Sequence, residues 1–134
     1  MSLSQKLLDL KVDLEKAIEI SNKLSQQDIY MSTFFHLSND LLTIANSDGY
    51  FRIVNQTWSD VLGYSSKELT SQKWLDFVHP DDIPKTIEAA QQLFVGPIQD
   101  FVNRYRTKDG KYISLSWNCK QTQGGTIYAC AKVV

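Results

Sequence analysis

The fold is decided by residues 46–69, which read NSDGYFRIVNQTWSDVLGYSSKEL. The Asp-Gly pair at 48–49 is a strong hairpin signal, because glycine tolerates the positive φ of a tight turn. The flanking segments LLTIAN and YFRIV are rich in apolar and β-branched residues, so we expect two antiparallel strands. Gly63 then ends a short helix, and Ser65 or Ser66 caps the next one. The stretch therefore predicts a hairpin that leads directly into short helices.

The last third of the chain predicts three more strands, at residues 98–107, 111–120 and 126–134, which are separated by Asp-Gly and Gly-Gly turns. In the middle strand every second residue is apolar, which indicates one buried face; these residues are Ile113, Leu115, Trp117 and Cys119. Hairpin connections within each strand group are too short for parallel crossovers. The predicted fold class is α+β, a five-stranded antiparallel sheet with short helices on one face.

A longer helix is predicted between the two strand groups, at residues 82–94. Its apolar stripe should consist of Ile83, Ile87, Ala90 and Phe94. Asp81 and Asp82 suit the first turn, where carboxylates meet the positive end of the helix dipole. We therefore expect this helix to pack on the sheet through the stripe.

The N-terminal segment predicts an amphipathic helix over residues 1–30, with the sheet-bearing domain at 31–134. Apolar and small residues recur there at alternating steps of four and three, the a/d pattern of a heptad. The predicted dimer helix uses Leu7, Leu10, Leu14, Ala17 and Leu24 of this series. These residues form an apolar stripe along the helix, called the seam below. The seam packs either against a second chain or against the chain's own domain. The small side chain of Ala17 weakens the case for a long independent coiled coil.

Composition narrows the function classes. A length of 134 residues suits one compact domain with an appendage. A net charge of -1 gives no positive electrostatic potential that would attract a polyanion, so nucleic acid is not an expected partner. No apolar run reaches the roughly 20 residues of a membrane span, and the charged N-terminus is unlike a signal peptide. We therefore expect a cytoplasmic location, with Cys119 and Cys130 as reduced thiols of the core.

Several motifs occur in a fixed order: DG, N-x-x-W, LGY-x-x-x-EL, HPDD and RYR-x-KDG. They run from Asp48 to Gly110. This combination resembles a PAS domain of the kind found in bacterial sensory histidine kinases and diguanylate cyclases, and the resemblance covers nearly all of residues 34–134. The resemblance implies a curved sheet whose concave face is covered by short helices. It also implies an ion pair between Glu68 and Lys108, as in some family members.

In family members that sense a ligand, the space between the helices and the sheet holds it. The resemblance therefore implies a ligand pocket built from Trp58, Trp74, Phe101, Asn103, Tyr105, Leu115, Trp117 and Ala129. Trp58 and Tyr64 form either the pocket wall or plain core. The amide of Asn103 needs a partner when buried, which is a polar atom of a ligand, a backbone group, a water molecule or Tyr105.

The sequence does not identify a cofactor, and it argues against two of them. A flavin photoreceptor that forms a thiol adduct needs a cysteine in the segment LTSQKWLDFVHP, which contains none. Haem-binding relatives use a histidine on the long helix as the axial ligand, and residues 82–94 contain none. His79 belongs to a helix start, and His36 is expected in a surface or linker position. No metal site is predicted.

We therefore predict a sensory and dimerisation module that is not itself an enzyme, because the sequence contains no phosphate loop and no nucleophile motif. It would be a homodimeric fragment of a two-component sensor histidine kinase, with the output kinase or cyclase domain elsewhere in the full-length protein. A small molecule or a packing change would be the input. The alternative is a ligand-free interaction module, which a filled core favours over a void of roughly 300 Å³.

Overall fold

The chain begins with one long helix. The computed structural model describes residues 2–134, apart from the side chain of Leu24. Helix α1 spans Leu3–Leu37, and so runs past the end predicted near residue 30. Residues 25–37 contain neither proline nor glycine, so nothing in their backbone ends the helix there. The chain divides into two compact units, one ending at Phe35 and the other comprising His36–Val134.

The second unit is built on five antiparallel strands, which confirms the predicted fold class. They are β1 Leu41–Asn46, β2 Phe51–Val54, β3 Ile98–Arg106, β4 Tyr112–Gln121 and β5 Thr126–Val133. Their spatial order is β2-β1-β5-β4-β3, so the first and last strands of the chain are neighbours at the centre. The pairing of β3 with β4 shifts between Ile98 and Phe101, and Asp100 in this bulge has a φ of 56°.

The segment between β2 and β3 forms a layer of short helices. These are α2 Gln56–Leu62, α3 Ser66–Thr70, two 3-10 turns at Trp74–Phe77 and Pro80–Asp82, and α4 Ile83–Gln92. Gly63 ends α2 with a φ of 89°, a conformation that strains other residues. Ser65 caps α3 through a capping box with Glu68, which fixes the direction of α3.

Trp58 of α2 is the centre of the hydrophobic core and is fully buried. Its ring centroid lies 4.9 Å from that of Phe51 and 5.8 Å from those of Tyr105 and Trp117. Its indole Nε1–H donates to the carbonyl of Leu42 over 3.1 Å. This one side chain therefore connects α2 with β1, β2, β3 and β4.

The buried face of α4 differs from the predicted stripe. Ile87 and Phe94 of that stripe are 40% and 72% exposed, and the buried residues are Thr86, Ala89 and Leu93. The other two stripe residues are half-buried: Ile83 packs against the core and Ala90 lines a cavity described below. The prediction followed apolar residues and therefore passed over Thr86. Its hydroxyl donates to the carbonyl of Asp82 over 2.7 Å, which satisfies the polar group inside the protein. The helix is thus rotated by about one residue, or roughly 100°.

Candidate functional site

A cavity of about 80 Å³ lies between α4 and the concave face of the sheet. Predicted site residues that line it are Trp74, Phe101, Asn103, Tyr105, Trp117 and Ala129. The other two, Trp58 and Leu115, are fully buried in the hydrophobic core and do not belong to the lining. Tyr64, for which core and pocket wall were both open, is also a core residue. Among the described residues, those that line the cavity include no charged side chain.

Part of the lining was missed by the sequence reasoning. Thr86, Ala89 and Leu93 come from α4, and they were missed because the predicted stripe of that helix was rotated. Cys119 and Ile127 also line the cavity. The alternation of apolar residues along β4 and β5 was the signal for these two, since it places them on the same face as Trp117.

A chain of hydrogen bonds runs along one side of the cavity. The Trp117 indole Nε1–H donates to Asn103 Oδ1 over 2.7 Å, and Asn103 Nδ2 donates to Thr86 Oγ1 over 3.2 Å. The two partners of the Asn103 amide are therefore the side chains of Trp117 and Thr86. Neither is the backbone group, the water molecule or the Tyr105 hydroxyl that the sequence suggested. The chain of hydrogen bonds joins β4, β3 and α4, so it holds the helix against the sheet.

An ion pair fixes the start of α4 on β3. Asp82 is buried, and its carboxylate accepts hydrogen bonds from Arg104 N, Nε and Nη2 at 2.8, 2.9 and 2.8 Å. The guanidinium donors hold the pKa of this carboxyl far below its usual range, against the opposing effect of burial. Asp82 therefore lies at the start of α4, as predicted, but the main partner of its carboxylate is Arg104, which was not predicted. Lys85 lies 3.7 Å from the same carboxylate.

The two titratable side chains in the lining both remain neutral. Burial raises the pKa of the Tyr105 hydroxyl well above its usual range, and the nearby Cys119 thiol adds to this effect. Burial also raises the pKa of Cys119 to about 12. Neither group is therefore prepared to act as a base or a nucleophile at neutral pH, because the charged form is disfavoured in both.

Other predicted residues have structural partners. Lys108 Nζ lies 3.0 Å from Glu68 Oε1, so the expected ion pair is present on the surface. His79 Nδ1 accepts a hydrogen bond from the Asp81 backbone N–H, as suits a helix start. His36, expected in a surface or linker position, lies in the last turn of α1, and its Nδ1 accepts from the Gln56 backbone N–H over 3.1 Å.

The predicted dimer helix presents its apolar residues to solvent. Leu7, Leu10 and Leu14 are 58%, 65% and 61% exposed, and Ala17 is also exposed. The side chain of Leu24 lies outside the described residues. The same helix exposes further apolar residues off the heptad seam, namely Leu8, Val12, Ile18 and Ile20.

Neither a metal-binding group of side chains nor a helix that could span a membrane is found among the described residues of 2–134. No group of three or more His, Cys, Asp or Glu side chains there is arranged to hold a metal ion. None of the helices in this range combines the length and the apolar character that crossing a lipid bilayer requires.

Solved structures show the same fold. A domain of a sensor histidine kinase/response regulator from Geobacter sulfurreducens superposes with a TM-score of 0.68 at 18% identity, covering 80% of this chain and 93% of that one. The PAS domain of an HTR-like protein from Haloarcula marismortui gives 0.69 at 21%, covering 87% and 98%. Cycle PAS-B from Drosophila melanogaster, with bound ethylene glycol, gives 0.60 at 22%, covering 70% and 97%.

A comparison of the sequence with protein-family models gives the same fold as these structures. A family model described as the PAS fold matches residues 51–133, which include α2 to α4 and four of the five strands. The ordered motifs, the β2-β1-β5-β4-β3 sheet and the helices over its concave face all lie in or next to this match. The chain therefore belongs to the PAS fold family.

Proposed function

We propose that this chain is a sensory module of a signal-transduction protein, in which a small molecule in the cavity is the input. The observation that carries the proposal is the cavity itself, since it lies between α4 and the sheet and its lining includes a buried amide and a buried hydroxyl. Pockets that bind small molecules are concave and mostly apolar, with a few polar groups that fix orientation. The PAS-B neighbour with bound ethylene glycol supports this use of the fold.

The mechanism follows from how α4 is attached. Its N-terminal end is fixed to β3 by Asp82 and Arg104, and its next turn is held through Thr86 and Asn103. Beyond that point Ala89 and Leu93 contact the cavity through apolar atoms alone. A ligand would therefore change the position of the C-terminal half of α4 more easily than that of its start. It shifts this equilibrium only as far as its affinities for the two positions differ.

The output is proposed to lie in another domain of a longer protein, a histidine kinase or a cyclase in the cytoplasm. The PAS fold match and the neighbour from a sensor histidine kinase support this assignment. Within the described chain the titratable groups of the cavity are neutral, so the cavity suits binding better than proton transfer.

A test of ligand binding uses the Trp117 indole N–H as the reporter, since it contacts the cavity and the Asn103 amide. We expect xenon or small neutral organic molecules to shift its NMR signal in the unmodified protein. In the Ala129→Leu variant, the larger side chain occupies part of the cavity, and the shifts should be lost. If no probe shifts this signal, the sensory proposal fails.

The second candidate is a ligand-free interaction module. It is favoured by the size of the cavity, about 80 Å³, which is far below the roughly 300 Å³ of ordinary ligand pockets. It is also favoured by the Asn103 amide, which already has two side-chain partners. The same NMR experiment separates the two candidates, because this one requires that no probe binds.

Both candidates include a homodimer formed through α1. Leu7, Leu10 and Leu14 are exposed at heptad spacing, and burying such leucines against a second helix would stabilise a dimer. The alternative in which the seam covers the chain's own domain would leave the protein monomeric. The oligomeric state therefore distinguishes the two uses of the seam.

Leu14→Glu should convert the proposed dimer to a monomer, because a carboxylate in the seam loses its water on association. Light scattering coupled to size-exclusion chromatography measures the change in mass. Val12→Glu is the matched control, since it puts the same charge on the same exposed helix but off the seam. A dimer that survives Leu14→Glu, or that Val12→Glu dissociates equally, would contradict the seam.

A further inference from the structure

Tyr105 has a hydroxyl group that the core does not use. Only 3% of the residue's surface is exposed, and it lines the cavity. Its ring packs against Trp58 and Trp117, but among the described residues no hydrogen bond reaches its hydroxyl. Every fully buried polar side-chain atom of the described chain does have a partner. Since the Tyr105 oxygen has no partner, it is not fully buried and must keep some exposed surface. The cavity is the open space next to Tyr105, so we take this surface to face the cavity.

The amide and hydroxyl groups of the other lining residues already have partners, whereas the Trp74 indole N–H has no hydrogen bond among the described residues. Thr86 Oγ1 donates to Asp82 O and accepts from Asn103 Nδ2, while Asn103 Oδ1 accepts from Trp117. The Thr43 hydroxyl donates to the carbonyl of Ile53 over 2.8 Å. A buried donor still available to a molecule in the cavity is thus the Tyr105 O–H. The Cys119 thiol is only a weak donor, and Trp74 is a half-buried residue whose indole N–H can stay in contact with water.

The surroundings also restrict the charge and the size of that molecule. The described lining contains no charged residue, so an ion would lose its hydration without gaining a counter-charge. The cavity volume of about 80 Å³ is also far below the roughly 300 Å³ of ordinary ligand pockets. The occupant must therefore be neutral, small and mostly apolar.

We propose that the cavity binds a small neutral molecule with a single hydrogen-bond acceptor, a carbonyl, ether or hydroxyl oxygen, which accepts from the Tyr105 hydroxyl. This inference rests on the proposed sensory function and adds the chemical class of the ligand. Tyr105 is the residue that determines specificity: it selects an oxygen-bearing molecule over a hydrocarbon of similar shape. The Asn103 amide contributes shape and rigidity, with its hydrogen bonds kept inside the protein.

Three probes test this chemistry: acetone has an acceptor and no donor, acetate is its charged analogue, and xenon is apolar. Titrations of the intact chain are followed at the Trp117 indole N–H by NMR. Acetone and xenon should bind and acetate should not. In Tyr105→Phe, acetone should bind about three- to tenfold more weakly, which corresponds to the loss of one hydrogen bond, while xenon affinity should stay within about twofold.

Tyr128→Phe is the matched control, since it removes the same group from an exposed residue of β5 and should leave acetone affinity unchanged. Tyr105→Phe should be at least as stable as the unmodified protein towards urea, because the hydroxyl it removes has no partner in the core. A clear loss of stability would overturn the proposal by showing that the core does use this hydroxyl.

The outcomes separate this inference from the function on which it rests. Equal acetone affinity in the unmodified protein and Tyr105→Phe, binding of acetate as tight as that of acetone, or binding of xenon without acetone would overturn the ligand class and leave the sensory proposal standing. Failure of both xenon and acetone to bind would overturn the sensory proposal together with the ligand class.

Discussion

Replacing Trp58 with alanine should lower the free energy of unfolding by about 3–5 kcal/mol, the cost typical of removing a large aromatic side chain from a core. Trp58 is fully buried and its ring meets those of Phe51, Tyr105 and Trp117. The substitution leaves a cavity where α2 meets the sheet. Small domains have only about 5–15 kcal/mol of stability, so a large part of the variant should be unfolded at moderate urea concentrations.

Urea denaturation followed by circular dichroism measures the effect. Phe94→Ala is the control, since Phe94 is an aromatic residue that is 72% exposed, and its loss should change stability by about 0.5 kcal/mol or less. If Trp58→Ala does not fold, Trp58→Phe keeps most of the packing and should cost about 1–2 kcal/mol. The Leu42 carbonyl would still accept from the Asn55 backbone N–H at 3.0 Å. Equal losses in Trp58→Ala and Phe94→Ala would contradict the central position of Trp58.

The Asp82→Asn variant should lose about 2–3 kcal/mol near neutral pH, because the guanidinium of Arg104 then faces a neutral amide. This range is below the loss typical of a fully buried pair, since the Arg104 side chain is 40% exposed and water replaces part of the interaction. Asp81→Asn is the matched control. Asp81 is adjacent in the chain but its side chain is 79% exposed, so we expect a change of about 0.5 kcal/mol or less.

The pH dependence of the stability difference between the unmodified protein and Asp82→Asn shows whether the Asp82 carboxylate is responsible for it. The pKa of Asp82 is lower in the folded state than the value of about 3.9 expected for an unfolded chain. Its stabilising contribution is therefore complete from about pH 5 upward, and it is lost as the pH falls through the lower folded pKa. Between about pH 7 and pH 3, the stability advantage of the unmodified protein over Asp82→Asn should shrink by about 1 kcal/mol.

The amide in Asp82→Asn does not titrate, and both proteins contain all the other carboxylates. The difference in stability between the two proteins therefore changes with pH only through the titration of Asp82. Urea unfolding of both proteins at several pH values gives the curve. An advantage that stays constant down to about pH 3, or that grows as the pH falls, would show that Asp82 does not act as a paired carboxylate.

The strands were predictable because their signals are local. Alternation of apolar residues and the Asp-Gly and Gly-Gly turns fix where β3, β4 and β5 begin and end, and the strands differ from the prediction only at their ends. Alternation also put Asn103, Tyr105 and Trp117 on one face, so most of the predicted pocket residues lie around the cavity.

The rotation of α4 was beyond this kind of reasoning. It depends on Asp82 meeting Arg104 and on Thr86 meeting Asn103, contacts between residues far apart in the chain that no helical periodicity records. The volume of the cavity was not predictable for a related reason. It is set by how side chains from several elements pack, and a shift of one rotamer changes it.

The order of the strands also has a consequence for self-association. Strands β2 and β3 form the two borders of the sheet, where unpaired backbone groups can pair with another protein's strand. On β3, Arg104 N and O are already bonded to Asp82 and His79. β2 has only four residues, and β3 is interrupted by the bulge at Asp100, whose side chain is exposed. Short and bulged borders are poor templates for adding a strand, so we expect this sheet to resist growth into larger β-aggregates even when many copies are crowded together.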